Sequence, residues 1–171
     1  MDDRILVAYA SQTGSTVGVA ETVGKQLSVG GAIVDVRPVK EVTDLNGYRA
    51  VVVGSAIHCG KWMPEAVKFV EANQDRLRRI PTAYFLVCLM MATGTEENRR
   101  LVGTFLEPMR TLVKPVAEGR FAGALWYNKY SFLDSLGMRI FAATQKLEER
   151  DYRDWSAIRA WADTTRPMLL Q

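Results

Sequence analysis

The sequence predicts an α/β domain in which helices cover both faces of a parallel, doubly wound sheet. Five short apolar or β-branched runs are typical of strands that are buried on both faces. These runs are residues 5–10, 32–36, 50–56, 83–90 and 122–127. Segments with apolar side chains at helical spacing separate them, and strands that alternate with helices form parallel sheets. The 171 residues suit a single domain, residues 1–171.

The helices between these strands are predicted from apolar stripes and from residues that start or stop helices. Stripes at helical spacing occupy residues 20–27, 66–77 and 102–113. Gly30 and Gly31 predict the end of the first helix, and Pro64 suits the first turn of the second. Pro108 predicts a kink or an early stop in the third, because proline lacks a backbone donor.

The last helix is predicted to begin after Asp154 as its N-cap and to end at Pro167. Its inward residues are expected to be Trp155, Ile158 and Ala162.

Composition and charge exclude several classes of protein. The net charge of +3 is too weak to indicate nucleic-acid binding. The longest apolar run, residues 83–92, is about half the length of a membrane-spanning helix. The acidic start Asp2-Asp3 is unlike a signal peptide, so we expect a cytoplasmic protein. Cys59 and Cys88 predict reduced thiols, and no metal-binding cluster or Ser/His/Asp set can be assigned.

The motif SQTGST, residues 11–16, follows the first predicted strand and opens the first helix. Free amides at a helix start, together with hydroxyl side chains, favour a phosphate. The triphosphate pattern GxxxxGK[ST] and the dinucleotide pattern GxGxxG are both absent. A hydroxyl-rich helix cap without a ligand remains the alternative. The candidate binding residues are Ser11, Gln12, Thr13, Gly14, Ser15 and Thr16.

A family resemblance is carried by this motif and by three longer segments. YASQTGST resembles the phosphate-binding loop of flavodoxins, [ST]-x-T-G-x-[ST], whose ligand is FMN. GSAIHCGKWMPEAVKFVEAN, PTAYFLVCLMMA and GALWYNKYSFLDSLGMRIF are similar to segments of the bacterial menaquinone-dependent protoporphyrinogen oxidase family. The likeness covers nearly the whole chain. It implies a flavodoxin-like sheet of order 2-1-3-4-5, FMN as cofactor, and an extra segment before the last helix.

Two further loops are implied to border the flavin ring. In the second loop, Gly60 would let a peptide approach the flavin N5, and His58, the only histidine, is a catalytic candidate for proton transfer. The third loop offers methionines where flavodoxins often stack an aromatic residue. The second-loop candidates are Ser55, Ala56, Ile57, His58, Cys59 and Gly60. The third-loop candidates are Leu89, Met90, Met91 and Ala92.

The extra segment, residues 128–153, is too long for a plain connection and predicts a helix of its own. Ser131 with Asp134 fits a capping box, and Leu133, Leu136 and Ile140 form an apolar stripe. The residues that broaden this apolar face are Phe132, Met138 and Phe141. Trp126 and Tyr127 at its base are further cofactor candidates. The basic residues that flank the helix are Lys129, Arg139 and Lys146.

Such a helix could lie on a membrane surface, cover an apolar substrate, or simply pack on its own domain. One hypothesis is that the segment governs how the protein meets its substrate or a membrane. On this hypothesis, removal of the segment leaves FMN binding nearly intact.

Three functional readings remain open from the sequence. An enzyme would use FMN to oxidise an apolar anionic substrate, such as a porphyrinogen, and pass electrons to a quinone. A flavodoxin-type carrier would only cycle the flavin, although carriers of that kind tend to be acidic and this chain is basic. A quinone reductase that takes electrons from a nicotinamide is also compatible with the sequence, although no nicotinamide-binding motif is visible. A homo-oligomer is compatible with each reading.

Overall fold

The structure, a computed structural model that describes residues 3–171, is built on one sheet. Five of its strands run parallel in the order β2-β1-β3-β5-β6, and a short hairpin strand, β4, pairs antiparallel with β3. When the parallel strands alone are numbered along the chain, so that β5 and β6 become the fourth and fifth, this is the predicted order 2-1-3-4-5. The strands are β1 (Arg4–Ala10), β2 (Ile33–Pro38), β3 (Ala50–His58), β4 (Lys61–Trp62), β5 (Thr82–Val87) and β6 (Glu118–Phe121).

Helices connect the strands and cover the sheet. They are α1 (Ser15–Leu27), α2 (Pro64–Ala72), α3 (Gln74–Leu77), α4 (Glu96–Thr104), α5 (Glu107–Leu112), α6 (Phe132–Gln145) and α7 (Trp155–Leu169). Short 3₁₀ helices occupy Val39–Glu41, Leu89–Thr93 and Tyr127–Lys129.

Successive side chains of each central strand point to opposite faces of the sheet and pack in two separate core layers. In β1, Leu6 packs in the layer beneath α2, α4 and α5, which also buries Tyr84. Its neighbour Val7 packs in the layer beneath α1 and α7, with Phe85 and Ile158. Full burial of each such side chain contributes about 1.5–3 kcal/mol to stability. The sheet is therefore covered on both faces, as the apolar strands predicted, and the carboxyl ends of its parallel strands share one edge.

The fifth parallel strand lies earlier in the chain than predicted. The prediction placed it at residues 122–127, but β6 is Glu118–Phe121, whose residues pair with Tyr84 to Val87 of β5. As an edge strand, β6 alternates buried and less buried residues and so lacks a continuous apolar run. Ala124 and Leu125 are buried although they lie outside the strand.

Two predicted helices are broken and one is longer than expected. The second stripe divides at Asn73 into α2 and α3, and the third divides before Pro108, which lies in the first turn of α5. Asp154 caps α7 as predicted, by accepting a hydrogen bond from Ala157 N at 3.0 Å. Pro167 does not end α7: it lies in the last turn, and the helix continues to the buried Leu169.

Candidate functional site

The first loop carries β1 into α1 through a left-handed glycine. Gly14 has φ 95°, and its amide donates a 3.0 Å hydrogen bond to Ser11 Oγ. No side chain caps α1, and its first turn contains no acidic residue. The first amides and the positive end of a 13-residue helix dipole are therefore available to an anion.

Thr16 supports a phosphate at this position. Its side chain is fully buried, yet its Oγ1 has no hydrogen-bond partner within residues 3–171. A buried hydroxyl without a partner costs about 1–3 kcal/mol. An anion at the start of α1 would supply the acceptor that this hydroxyl lacks, so the loop fits the phosphate of FMN.

A cleft of about 360 Å³ opens at the carboxyl ends of the central strands, between the sheet and α6. This volume is in the range of small-molecule binding sites. Ten predicted cofactor residues line it: Gln12, Thr13, Ser15, Ala56, Ile57, His58, Cys59, Gly60, Leu89 and Met90. All three predicted loops therefore meet at one site.

The other predicted cofactor residues are not among those that line the cleft. Ser11 and Gly14 line a separate depression of about 340 Å³ with Tyr9 and Lys40. Ser55 is buried, and its Oγ accepts a 3.0 Å hydrogen bond from the amide of Met63. The remaining five are the buried Thr16, the half-buried Met91, Ala92 and Tyr127, and the more exposed Trp126.

The second loop is a two-residue hairpin turn between β3 and β4. Cys59 and Gly60 have φ of 50° and 73°, as the twist-matched turns of tight hairpins require. His58 pairs with Lys61 across the turn and is exposed at the cleft. Phe105 packs beneath, with its ring 3.4 Å from where a Gly60 side chain would begin. The tight turn therefore presents its backbone to the cleft, and the ring of Phe105 lines the cleft beside it.

The third loop is held by a buried amide. Asn98 of α4 is 8% exposed, and its Nδ2 donates to Thr93 Oγ1 at 2.6 Å and to Gln145 Oε1 at 3.0 Å. Thr93 ends the 3₁₀ helix Leu89–Thr93, and Gln145 ends α6. Asn98 thus ties the third loop to the helix on the other side of the cleft.

The extra segment leaves and rejoins the domain at neighbouring residues. The amide of Leu125 donates to Arg150 O at 2.9 Å, and that of Tyr152 donates to Gly123 O at 3.1 Å. Arg153 then reaches the first loop, where it donates to Ser15 O at 3.1 Å. Hydrogen bonds from the side chain and the backbone amide of Arg153 lower the pKa of Asp151, which keeps this carboxylate ionised. The segment is therefore anchored on the start of α1.

Helix α6 begins as predicted, with Ser131 Oγ accepting from the amide of Asp134. One side of α6 faces the cleft, through Asp134, Gly137, Met138 and Phe141. Because α6 lines this cleft, we expect removal of the segment to weaken FMN binding, in contrast to the prediction from the sequence.

The other side of α6 is exposed and apolar. Its large side chains are Phe132, Leu133, Leu136 and Ile140, exposed by 86%, 77%, 54% and 62%. Leu133 also reaches the rim of the cleft. None of the helices in the described part of the chain has both the length and the apolarity needed to cross a bilayer.

Tyr130 is a cleft residue that the sequence did not single out for cofactor binding. Burial raises its pKa, while a hydrogen bond with the Thr13 side chain acts in the opposite direction. The phenol is therefore neutral at pH 7 and can donate a hydrogen bond beside the first loop. The other cleft residues that sequence reasoning did not assign to the cofactor are Val87, Cys88, Phe105, Gly123, Ala124, Leu133, Asp134, Gly137, Met138 and Phe141.

Comparisons with known proteins agree with this arrangement. Residues 6–151 match the flavodoxin domain family. A protoporphyrinogen IX dehydrogenase [quinone] of Leishmania major is 26% identical, over 93% of this chain and 73% of the relative. The enzyme of the same name from Escherichia coli K12 is 24% identical, over 93% of this chain and 92% of the relative.

A solved structure shows the same fold. It is a flavodoxin mutant of Fusobacterium nucleatum bound to flavin mononucleotide, with a TM-score of 0.55 and 13% identity over 94% of this chain and 93% of the other. The family match covers most of the chain, and the sheet order and the phosphate-type loop agree with it. The chain belongs to the flavodoxin domain family.

Proposed function

We propose that this chain is an FMN-dependent oxidoreductase that takes electrons from a porphyrinogen and passes them to a quinone. The observation that carries the proposal is the cleft, in which the three loops of a flavodoxin meet an apolar wall from α6. The names of the two relatives, which describe protoporphyrinogen IX and quinone chemistry, support this substrate pair.

Bound FMN supplies reversible redox chemistry, and the chain supplies its binding, its orientation and its surroundings. The start of α1 and the hydroxyls of Thr13 and Ser15 would hold the phosphate. The hairpin turn at Cys59 and Gly60 and the third loop at Met90 would border the ring. Met138 and Phe141 of α6 line the same cleft and would exclude water from it.

A porphyrinogen is a large apolar ring with anionic propionates, so its site needs apolar cover and cations at the rim. Phe105, Met138 and Phe141 supply apolar cover within the cleft. Lys61 and Lys129 are exposed next to cleft residues in the second loop and beside Tyr130. The mildly basic net charge of +3 also favours an anionic substrate.

Anaerobic turnover tests this function directly. We expect the FMN-loaded protein to oxidise protoporphyrinogen IX and to reduce a menaquinone analogue in detergent. A carrier is the second candidate, because the fold is also that of flavodoxins. A protein whose flavin is reducible, but which transfers electrons only to a soluble redox protein, would be such a carrier. Reduction of the quinone by a nicotinamide without porphyrinogen would indicate a quinone reductase.

The exposed side of α6 supports a further part of the proposal, attachment to the surface of the membrane that contains the quinone. Four large apolar side chains there are more than half exposed, and Lys129, Arg139 and Lys146 lie at or near the helix. Apolar insertion together with attraction to anionic lipids is how amphipathic helices bind membrane surfaces.

Phe132→Ser combined with Leu136→Ser should therefore reduce binding to anionic liposomes by about tenfold or more, because both side chains lose apolar area for insertion. Cosedimentation with phosphatidylglycerol vesicles measures this. Leu101→Ser combined with Val116→Ser is the matched control, since these side chains are 45% and 42% exposed elsewhere. Equal loss in both double variants, or no liposome binding by the parent protein, would contradict the surface attachment.

A further inference from the structure

Gly137 lies in the interior of α6, where glycine is unfavourable. In such a position it destabilises a helix by roughly 0.5–1 kcal/mol relative to alanine. Its φ is not in the left-handed region, so the backbone does not require glycine. A side chain at Gly137 would meet no atom within 4 Å, so the packing does not require it either.

Other glycines of the chain have a clear reason to be glycine. A Cβ at Gly54 would lie 1.9 Å from the Phe85 ring, and one at Gly24 would lie 2.3 Å from Val36. Both positions are filled by a neighbour, whereas the space at Gly137 is open. The space adjoins the cleft, because Gly137 is one of the residues that line the cleft.

Gly137 is exposed, and its absent side chain leaves a notch at the solvent-exposed rim of the α6 wall. Leu133 and Phe141, which lie one turn before and one turn after Gly137 on the same side of the helix, also line the cleft. Each is about 6 Å away along the helix axis. The rim is therefore formed by two large apolar side chains with a gap between them, and a large side chain at position 137 would occupy that gap.

We propose that Gly137 is a specificity-determining residue, whose notch between Leu133 and Phe141 admits the edge of a bulky apolar macrocycle to the cleft. This inference rests on the proposed function, because it names the residue that lets a porphyrinogen-sized ring reach the flavin site. A small quinone does not need the notch.

The test uses Gly137→Leu in the FMN-loaded protein, with protoporphyrin IX as the binding probe and menadione as the small acceptor. We expect protoporphyrin IX to bind at least tenfold more weakly and the KM for protoporphyrinogen IX to rise similarly. FMN affinity and reoxidation of the dithionite-reduced flavin by menadione should change less than twofold. Ala143→Leu, on the exposed side of α6, is the matched control and should leave all of these unchanged.

The thermal midpoint separates the notch from a folding defect, because replacing a helical glycine should not lower it. Unchanged protoporphyrin IX binding in Gly137→Leu would overturn the proposal, as would equal losses for protoporphyrin IX and menadione, or a parent protein that does not bind protoporphyrin IX. A parent protein that binds protoporphyrin IX without porphyrinogen turnover would refute the proposed function alone. The notch would then stand if Gly137→Leu still weakens that binding.

Discussion

Replacing Thr13 and Ser15 together with alanine is expected to weaken FMN binding by about two to four orders of magnitude. Each hydroxyl lines the cleft beside the start of α1, and a hydrogen bond to a charged group contributes roughly 1.5–3 kcal/mol. Riboflavin lacks the phosphate, so its affinity should change far less. Titration of the apoprotein with each flavin, followed by flavin fluorescence, measures both dissociation constants.

Thr43→Ala combined with Ser156→Ala is the control, because both hydroxyl residues are exposed and neither lines the cleft. This pair should leave both dissociation constants unchanged. If the Thr13 and Ser15 variant loses FMN and riboflavin affinity equally, the first loop does not hold the phosphate.

The second large effect is expected when residues 126–149 are replaced by a two-residue Asn-Gly turn. Leu125 and Arg150 are already joined by a hydrogen bond, so a tight turn can close the gap. FMN affinity should fall tenfold or more, because loss of about 60 Å² of apolar cover is enough for that change. The sheet should remain folded, since Ala142 is the buried residue that α6 contributes to the core.

Flavin titration and circular dichroism measure the two outcomes. The variant Phe132→Ser with Leu136→Ser is the control here, because neither residue lines the cleft. That variant should bind FMN as the parent protein does. Parent-like FMN affinity after removal of residues 126–149 would show that α6 is not a wall of the cofactor site.

The phosphate-type loop was predictable because its signal is local. A hydroxyl-rich turn around Gly14, between an apolar strand and a helix, combines chain direction, helix dipole and side-chain chemistry within six residues. That the second and third loops lie at the same site was predictable for a related reason. Strands that run parallel bring their carboxyl ends to one edge, so His58 at the end of β3 and Met90 after β5 lie at the same edge as the first loop.

The sequence left the role of the extra segment open, because the choice between a membrane surface, a substrate cover and a packed helix depends on contacts between distant residues. Its pattern predicts one broad apolar face, and the structure divides that face between the cleft, with Met138 and Phe141, and solvent, with Phe132. Arg153 bonds to Ser15 across 138 positions, and Asn98 bonds to Gln145 across 47. No local pattern indicates such pairs. β6 was misplaced for the related reason that an edge strand need not be apolar.

The paired ends of the extra segment also bear on how a ligand enters. Because the chain departs at Leu125 and returns at Arg150, a rearrangement of α6 need not pull on any strand of the sheet. What resists such a rearrangement is local, and includes the bond from Asn98 to Gln145 and the burial of Ala142. Sub-global opening of this kind requires less free energy than unfolding the domain. A shift of α6 would therefore alter the width of the cleft without altering the first loop or the sheet.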